Sequence, residues 1–248
     1  MSADLSHARS NRSINGNPVK IELPRPRPER IVHEGRLVTV EPLDPDRHAA
    51  EIYPLLHGDA EKERVWDHLP YGPFPTFEAY RDWVADVASK DDPLFFAIRN
   101  KRTERVEGVA SLMEIRPAAG VIEIGHINLS TALQNTMEAT EGLYLLMTYA
   151  MDQLRYRRFE WKCNALNENS RRAAARLGFS FEGIFYQHSV PKGHNRDTAW
   201  FSTLDYEWPA IRRNFESWLS PDNFDADGRQ RTRLGEWIAR ERGGGEGV

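Results

Sequence analysis

Hydrophobic positions along the chain follow two spacings, and the changes between them predict the order of strands and helices. An apolar residue at every second position is typical of a strand, whereas spacings of three and four are typical of a helix with one buried face. The predicted strands are residues 36–42, 94–99, 106–115, 121–129, 159–164, 179–190 and 198–206. The predicted helices are residues 59–66, 77–87, 136–154, 167–177, 207–219 and 229–240, with another that begins at Asp44-Pro45 and is limited by Pro54.

The two ends of the chain differ from its middle. Residues 1–30 are polar, and prolines at every second position from Pro24 to Pro28 prevent a helix and favour an extended arm. We therefore expect a flexible, proline-rich arm over residues 1–30, disordered in its N-terminal part, and one α+β domain over residues 31–220. Residues 221–248 are expected to form an extension that is partly helical and then disordered.

Composition restricts the classes of function. The net charge of −4 argues against general nucleic-acid binding. The chain has neither an apolar run long enough to span a membrane nor a signal-peptide core near Met1, so we expect a cytoplasmic protein without a membrane partner. The single cysteine, Cys163, excludes an intrachain disulfide, and the histidines have no metal-site spacing, so no metal is expected.

Residues 122–179 carry the most specific order of elements. They read as strand, turn, long helix, strand and second helix, so that a helix N-terminus follows the end of a strand. Backbone N–H groups and the helix dipole at such a position can hold a pyrophosphate. The second helix opens with Asn167-Glu168-Asn169-Ser170 and ends before Gly178.

Several segments together resemble the GNAT superfamily of acetyl-CoA-dependent N-acyltransferases. Asn-x-x-Ser-Arg at residues 167–171 and Leu-Gly-Phe at 177–179 match signatures of its RimJ/RimL-like branch, the ribosomal-protein N-terminal acetyltransferases. Residues 35–43 and 122–130 resemble the opening and central strands of the same branch. The resemblance implies a GNAT-like α+β fold, with a mixed, mostly antiparallel central sheet flanked by helices.

The same resemblance implies acetyl-CoA as co-substrate and a small-molecule or peptide amine as acceptor. The pantetheine arm would lie where the strands 122–130 and 159–164 diverge, and a backbone N–H near Leu129 or Ser130 would polarise the thioester carbonyl. The residues expected to bind the cofactor are Leu129, Ser130, Gln134, Asn135, Thr136, Met137, Glu138, Ala139, Asn167, Ser170 and Arg171.

The phosphate loop departs from the family pattern Gln/Arg-x-x-Gly-x-Gly/Ala. Met137 stands where glycine is expected, in an altered pyrophosphate loop that begins at Gln134. Glycine lets a backbone approach a phosphate closely and adopt positive φ, whereas Met137 and the neighbouring Glu138 should crowd or repel it. Replacing Met137 by glycine is therefore expected to strengthen CoA binding.

Three residues are candidates for catalysis: Glu123, His126 and Ser170. Acyl transfer to an amine needs a base and is helped by an acid that protonates the leaving thiolate. Glu123 or His126 would be the base, unless a water relay replaces it, and Ser170 would contact the sulfur or act as the acid. Strict alternation puts Glu123 on one face of its strand and His126 with Asn128 on the other, unless a bulge intervenes.

Other sequence features leave alternatives open. Trp66, Tyr71 and Phe74 are candidates for the acceptor site, whereas residues 77–83 fit a core stripe better. A protein that binds acyl-CoA or another protein without turnover, or a transferase that uses another acyl-CoA, would also fit an altered loop. The arm and the C-terminal extension could serve a homodimer.

Overall fold

An eight-stranded sheet forms the centre of the molecule, as seen in a computed structural model that describes residues 16, 18–226, 229–236 and 238. The strands are β1 (His33–Glu34), β2 (Val38–Pro42), β3 (Leu94–Asn100), β4 (Arg105–Arg116), β5 (Val121–Leu129), β6 (Arg158–Asn164), β7 (Ser180–Ser189) and β8 (Arg196–Leu204). They lie in the order β1-β2-β3-β4-β5-β6-β8-β7. Neighbouring strands are antiparallel except β5 and β6, which are parallel. The predicted α+β class with a mixed, mostly antiparallel sheet is confirmed.

Helices cover both faces of this sheet. They are α1 (Pro45–Leu56), α2 (Ala60–Glu63), α3 (Phe77–Ala88), α4 (Met137–Thr148), α5 (Glu168–Arg176) and α6 (Trp208–Leu219). The apolar faces of α1 and α3 pack on β3 and β4 in the smaller of two cores. On the other face α4, α5 and α6 pack on the sheet in the larger core. Both faces are therefore buried, which explains the near-continuous apolar run of β3.

The start of α4 is fixed by hydrogen bonds to other elements. Thr136 caps the helix by accepting from the Ala139 N–H at 3.1 Å. The buried carboxylate of Glu141 accepts from the backbone N–H groups of residues 36–38, just before and within β2. Thr140 Oγ1 accepts from the Arg176 guanidinium at the end of α5. These contacts hold the N-terminus of α4 at the end of β5.

Two predicted helix limits differ in the structure. The helix predicted over residues 136–154 is α-helical only to Thr148 and continues as a π-helical turn, Tyr149–Gln153. Pro54 does not limit α1, which ends at Leu56. Proline removes one backbone hydrogen bond, and the burial of Ile52 and Leu56 in the smaller core outweighs that loss in the last turn.

Residues of the proline-rich arm lie against the beginnings of β5 and β6. The Arg25 N–H donates to the Pro117 carbonyl at 3.0 Å, and Arg25 Nε donates to the Leu154 carbonyl at 3.0 Å. Tyr156 Oη donates to the Pro26 carbonyl at 2.9 Å. The part of the arm predicted to be disordered lies mostly in residues 1–15, outside the described residues.

The segment after α6 returns to the larger core. Leu234 and Ile238 are both buried there, and Trp218 Nε1 donates to Gln230 Oε1 at 2.9 Å. Residues 234–236 and 238 are helical, in agreement with the helix predicted over 229–240, whose other residues are non-helical or undescribed. In the part of the chain that the structure describes, no helix has the length and apolar character needed to cross a membrane.

Candidate active site

The two parallel strands separate soon after they pair. β5 and β6 are neighbours only through residues 121–123 and 158–160, although β5 continues to Leu129 and β6 to Asn164. Beyond this pairing they line a cleft of about 1560 Å3. The divergence predicted for these strands is confirmed, and it leaves backbone groups on their facing edges that an extended ligand can join.

A β-bulge in β5 changes which face its residues occupy. Gly125 pairs with Ser111 and Asn128 with Val109, so two residues of β5 stand opposite one of β4. His126 lies in the bulge and has a φ of 49°. Left-handed backbone is uncommon for residues other than glycine, although histidine adopts it more often than most, as asparagine and aspartate do.

The bulge brings the three polar residues of β5 to the same face of the sheet. The residues of β5 that face the larger core are Ile122 and Ile124 before the bulge and Ile127 and Leu129 after it. Glu123 and Asn128 therefore share the opposite face, where His126 packs on Phe95 of the smaller core. Strict alternation would separate Glu123 from the other two, and the bulge, which the sequence had left open, brings them together.

Glu123 is a buried carboxyl group next to a lysine. Its side chain is 5% exposed, and Lys162 Nζ lies 2.7 Å from its Oε2, in an ion pair that lacks the angles of a hydrogen bond. Burial raises the pKa of Glu123 to about 7, although the Lys162 ammonium lowers it. Lys162 is itself held 4.1 Å above the Trp200 ring. A carboxyl group with this pKa can exchange a proton near neutral pH, as a general base must.

His126 is a weaker candidate for the base. Its Nδ1 is hydrogen-bonded to Tyr71 Oη at 2.9 Å, and the two rings are stacked. Burial, together with the charge of Arg196, lowers the pKa of His126 to about 4. The imidazole is therefore neutral at pH 7 and a poor proton acceptor, which favours a positioning role.

The donor end of the cleft is formed by the N-terminus of α4. All six residues expected in the phosphate loop line the cleft. They are Gln134, Asn135, Thr136, Met137, Glu138 and Ala139. The positive φ, 60°, falls on Asn135, whereas Met137 is the first residue of α4 and packs against the larger core. Glycine at position 137 is thus not needed for a left-handed backbone.

Glu138 places a carboxylate at this end of the cleft, where it would repel a phosphate. The residue is 8% exposed and lines the cleft in the first turn of α4. Arg102 Nε approaches its carboxylate at 3.5 Å, but the Arg102 side chain is 74% exposed. A carboxylate at a helix N-terminus occupies the position that favours a ligand phosphate.

The backbone at the end of β5 distinguishes Leu129 from Ser130. The Ser130 N–H donates to the Glu107 carbonyl at 2.9 Å, and Ser130 does not line the cleft. Because strand residues direct their backbone groups alternately to either side, the Leu129 N–H points away from β4 and towards the gap. Leu129 is therefore the candidate that can donate to a thioester carbonyl.

Asn167 and Ser170 both line the cleft at the start of α5. Asn167 caps the helix by accepting from the Ser170 N–H at 3.0 Å. Ser170 Oγ accepts from Trp161 Nε1 at 3.0 Å, so its hydroxyl can donate in turn. Burial raises the pKa of the Cys163 thiol, which stays neutral in its strand.

Of the arginines in α5, the predicted one does not line the cleft. Arg171 Nη1 donates to the Ala165 carbonyl, and its guanidinium lies over the Phe181 ring. Arg172 and Arg176 line the cleft instead, because they lie on the helix face turned to it. Burial lowers the pKa of Arg176, whose guanidinium also lies 5.0 Å from the Trp218 ring.

The C-terminal segment adds residues that the sequence did not indicate as part of a site. Phe224, Arg229, Gln230 and Arg233 line the donor end of the cleft. A basic cluster of Arg172, Arg176, Arg229 and Arg233 thus borders the region near α4. These residues lie far from the phosphate loop along the chain, so no local sequence pattern indicated that they contribute to the same cleft.

The acceptor end is charged rather than aromatic. Trp66 is 1% exposed in the smaller core, where its Nε1 donates to the Leu56 carbonyl. Tyr71 and Phe74 pack on the same core, and none of these three predicted aromatics lines the cleft. The residues around α2 that do so are Glu61, Arg64, Val65, Asp67, His68, Leu69 and Pro70.

The comparisons with known proteins agree with this arrangement. The family model described as "Acetyltransferase (GNAT) domain" matches residues 37–180. The structure of a GCN5-related N-acetyltransferase from Brucella melitensis is similar, with 45% identity, a TM-score of 0.86 and coverage of 89% of this chain and 100% of that chain. A probable GNAT-family acetyltransferase from Chromobacterium violaceum ATCC 12472 has 38% identity, a TM-score of 0.72 and coverage of 79% and 97%.

A more distant structure, of the microcin C7 self-immunity acetyltransferase MccE in complex with acetyl-CoA and AMP, shares the fold at 21% identity. Its TM-score is 0.60, and the match covers 68% of this chain and 93% of that chain. A comparison with curated proteins gave no match. From the family model and the two closer structures, the chain belongs to the acetyltransferase (GNAT) family and is a GNAT-type N-acetyltransferase.

Proposed function

We propose that the protein transfers acetyl from acetyl-CoA to a primary amine, on a peptide N-terminus or a small molecule. The observation that carries this proposal is the gap between β5 and β6. A helix N-terminus lies at one end of the gap, and Glu123, with its raised pKa, lies towards the other. An extended thioester fits between an anion-binding end and a proton-accepting end.

The donor end has groups that suit each part of acetyl-CoA. The backbone N–H of Leu129 suits the thioester carbonyl, and the unpaired edges of β5 and β6 suit the pantetheine arm. Asn167 suits an amide of that arm, since it lines the cleft beside the α5 N-terminus. Met137 is larger than the glycine of the family pattern at the start of α4, and the basic cluster supports phosphate binding at this end of the cleft.

In the proposed reaction Glu123 is the general base. The acceptor ammonium loses one proton before attack, and the amine then forms the C–N bond as the C–S bond breaks. The nitrogen loses a second proton, the CoA thiolate takes up one, and one is released to solvent. Ser170 Oγ suits the donor to the thiolate, because it already accepts from Trp161 and can give its own proton.

The proposal also extends to the branch of the family and to the limits of the catalytic domain. The signatures at residues 167–171 and 177–179 favour the RimJ/RimL-like branch. We propose residues 31–220 as the catalytic domain, with residues 1–30 as an arm and 221–248 as an extension that contributes to the donor end. A cytoplasmic location and a homodimer stay predictions.

The test combines binding with turnover. Acetyl-CoA is titrated into the protein by calorimetry, and release of the CoA thiol is followed with a panel of amines and short peptides. Glu123→Gln should still bind acetyl-CoA but lose about a hundredfold or more in kcat. Glu78→Gln, which removes an exposed first-turn carboxylate on α3, is the control that should change neither.

Each result separates the alternatives. Acetyl-CoA binding without turnover of any amine would favour a protein that binds acyl-CoA without catalysis. Faster turnover with another acyl-CoA would identify a different donor. A Glu123→Gln variant as active as the parent would exclude Glu123 as the base.

A further inference from the structure

Asn128 and Arg196 present buried polar atoms to the cleft that no described residue satisfies. Asn128 is 2% exposed, and neither its Nδ2 nor its Oδ1 has a hydrogen-bond partner. Nε of Arg196 is buried and equally without a partner. Both residues line the cleft. Burying such groups without partners costs free energy, so their presence points to a ligand that pairs with them.

Two cations near this face, Lys162 and Arg158, are paired with carboxylates. Lys162 lies 2.7 Å from Glu123, and Arg158 lies 2.6 Å from Glu160. Among the described residues, Arg196 has no carboxylate within ion-pair distance. A partly buried guanidinium without a counter-charge favours an anionic ligand.

Arg196 lies close to both walls of the gap. It opens β8 and shares a strand face with Trp200, on which Lys162 packs. Burial and, to a lesser extent, the Arg196 charge lower the pKa of His126 on β5, whereas burial raises the pKa of Cys163 on β6 against the opposing effect of the Arg196 charge. By the register of β8 with β6, Arg196 lies two residues beyond the partner of Asn164, so it is near the open end of the gap, where Leu129 would hold the thioester carbonyl.

The chemistry of these two side chains fits a carboxylate. The planar guanidinium offers paired N–H donors that match two carboxylate oxygens. Asn128 Nδ2 adds a donor, and Asn128 Oδ1 can accept from the N–H of an attacking amine. We propose that Arg196 and Asn128 bind a carboxylate of the substrate beside the thioester carbon, an inference that rests on the acyl transfer proposed above.

The carboxylate can come from either substrate. An amino-acid acceptor would bring it close to its own amine. A dicarboxylic acyl-CoA would bring it at the end of the acyl chain. The shared requirement is one negative charge at Arg196, and the donor and acceptor are varied separately to find its source.

The activity test uses matched pairs of substrates. Acetyl-CoA is assayed with the common amino acids, each against its carboxamide, and succinyl-CoA is compared with acetyl-CoA on phenethylamine, which has no carboxylate. Arg196→Gln should lower kcat/KM for the preferred carboxylate substrate by roughly a hundredfold and for its neutral counterpart by less than about threefold. Arg196→Lys should restore part of the loss, and Arg105→Gln, at an exposed arginine outside the cleft, should change neither rate.

A stability measurement tests the same pairing without any substrate. Asn128→Asp should supply Arg196 with an internal carboxylate and raise the melting temperature at pH 7. The rise should disappear when Arg196→Gln is added, as expected for a coupled pair. Asn128→Asp should also remove the preference for carboxylate substrates.

The outcomes distinguish this inference from the proposed function. Equal rates for acids and amides, in a protein that transfers acetyl, would overturn the carboxylate site and leave the function intact. Destabilisation by Asn128→Asp, whether or not Arg196 is present, would also overturn it. Stabilisation without transfer from any donor would instead support the anion site and count against the proposed reaction.

Discussion

Glu123 holds its proton more tightly than an exposed glutamate, and this determines the expected pH response. Its pKa is raised to about 7 by burial, so the carboxylate that can act as a base exists above this pH and is lost below it. With an acceptor whose amine is already deprotonated, log kcat/KM should rise with pH and level off above about 7. A profile that is flat through neutral pH would contradict this role.

The neighbouring lysine gives a directional test of the same group. Lys162 favours the charged form of Glu123, so Lys162→Met should move the pH profile to higher pH, by about one unit or more. Lys90→Met removes an exposed lysine that pairs with Asp86, and it should leave the profile unchanged. A shift to lower pH would show that Lys162 acts in another way.

The phosphate loop gives a second prediction for single residues. Glu138→Gln should strengthen acetyl-CoA binding by about fivefold, because it removes a carboxylate from a helix N-terminus, and the gain should shrink at high salt. Met137→Gly should change affinity less, since Met137 needs no positive φ. Calorimetry at two salt concentrations measures both, with Glu78→Gln as the matched first-turn control. A larger effect of Met137→Gly would restore the original expectation that glycine is what the loop lacks.

At the scale of elements, the bulge in β5 should reverse the usual order of stability for alanine and glycine substitutions at His126. His126 has a φ of 49°, which costs an alanine about 1 kcal/mol and a glycine almost nothing. His126→Gly should therefore be more stable than His126→Ala by about that amount, although both lose the stacking on Tyr71. Denaturant unfolding measures the difference.

The neighbouring position is the control for the bulge. Ile127 does not have a positive φ, so Ile127→Ala should be more stable than Ile127→Gly, the usual order in a strand. The same order at both positions would mean that the bulge does not impose a left-handed backbone on His126.

The sequence predicted the elements well and the site only in part. Strand and helix spacing depends on local burial, so β3, β4, β5 and α3 lie within a few residues of their predicted places. The bulge in β5 could not be located from the sequence, because one extra residue in an alternating strand looks the same as a short irregularity in the hydrophobic pattern. Arg171 and Arg172 are adjacent in sequence, and only the packing of α5 decides which of them faces the cleft.

Other contributors to the site lie far apart along the chain. Arg196 opens β8 and lines the cleft because β8 lies beside β6, which forms one wall of it. Arg233 reaches the donor end because Leu234, next to it, is buried in the larger core. Long-range packing of this kind leaves no periodic signal in one sequence, whereas Asn167 and Ser170 were found because they share a helix start.

At the scale of the whole molecule, stability and donor binding should respond differently to two kinds of change. Leu234→Ala should cost about 2–5 kcal/mol and weaken acetyl-CoA binding, because Leu234 holds the segment that lines the donor end. Leu56→Ala, in the smaller core, should cost a similar amount without changing affinity. Unfolding and titration at a temperature where both variants are folded compare them, and equal loss of affinity would argue against a specific role for the C-terminal segment.

The arm should contribute to stability alone. Tyr156→Phe removes the hydroxyl that donates to the Pro26 carbonyl, which should cost about 1 kcal/mol. Affinity for acetyl-CoA should not change, since Tyr156 does not line the cleft. A change in acetyl-CoA affinity in this variant, measured by titration, would mean that the contacts of the arm affect the gap between β5 and β6.

The position of that arm has a mechanical consequence. It joins the segments that lead into β5 and β6, at the end where the two strands are paired, while their other ends stand apart. The two strands are thus held together at one end and can move apart only at the other. A bulkier acyl group could enter the gap only if one of the strands bends. The stiffness of β5 and β6, rather than the width of the gap alone, should therefore limit which thioesters the enzyme accepts.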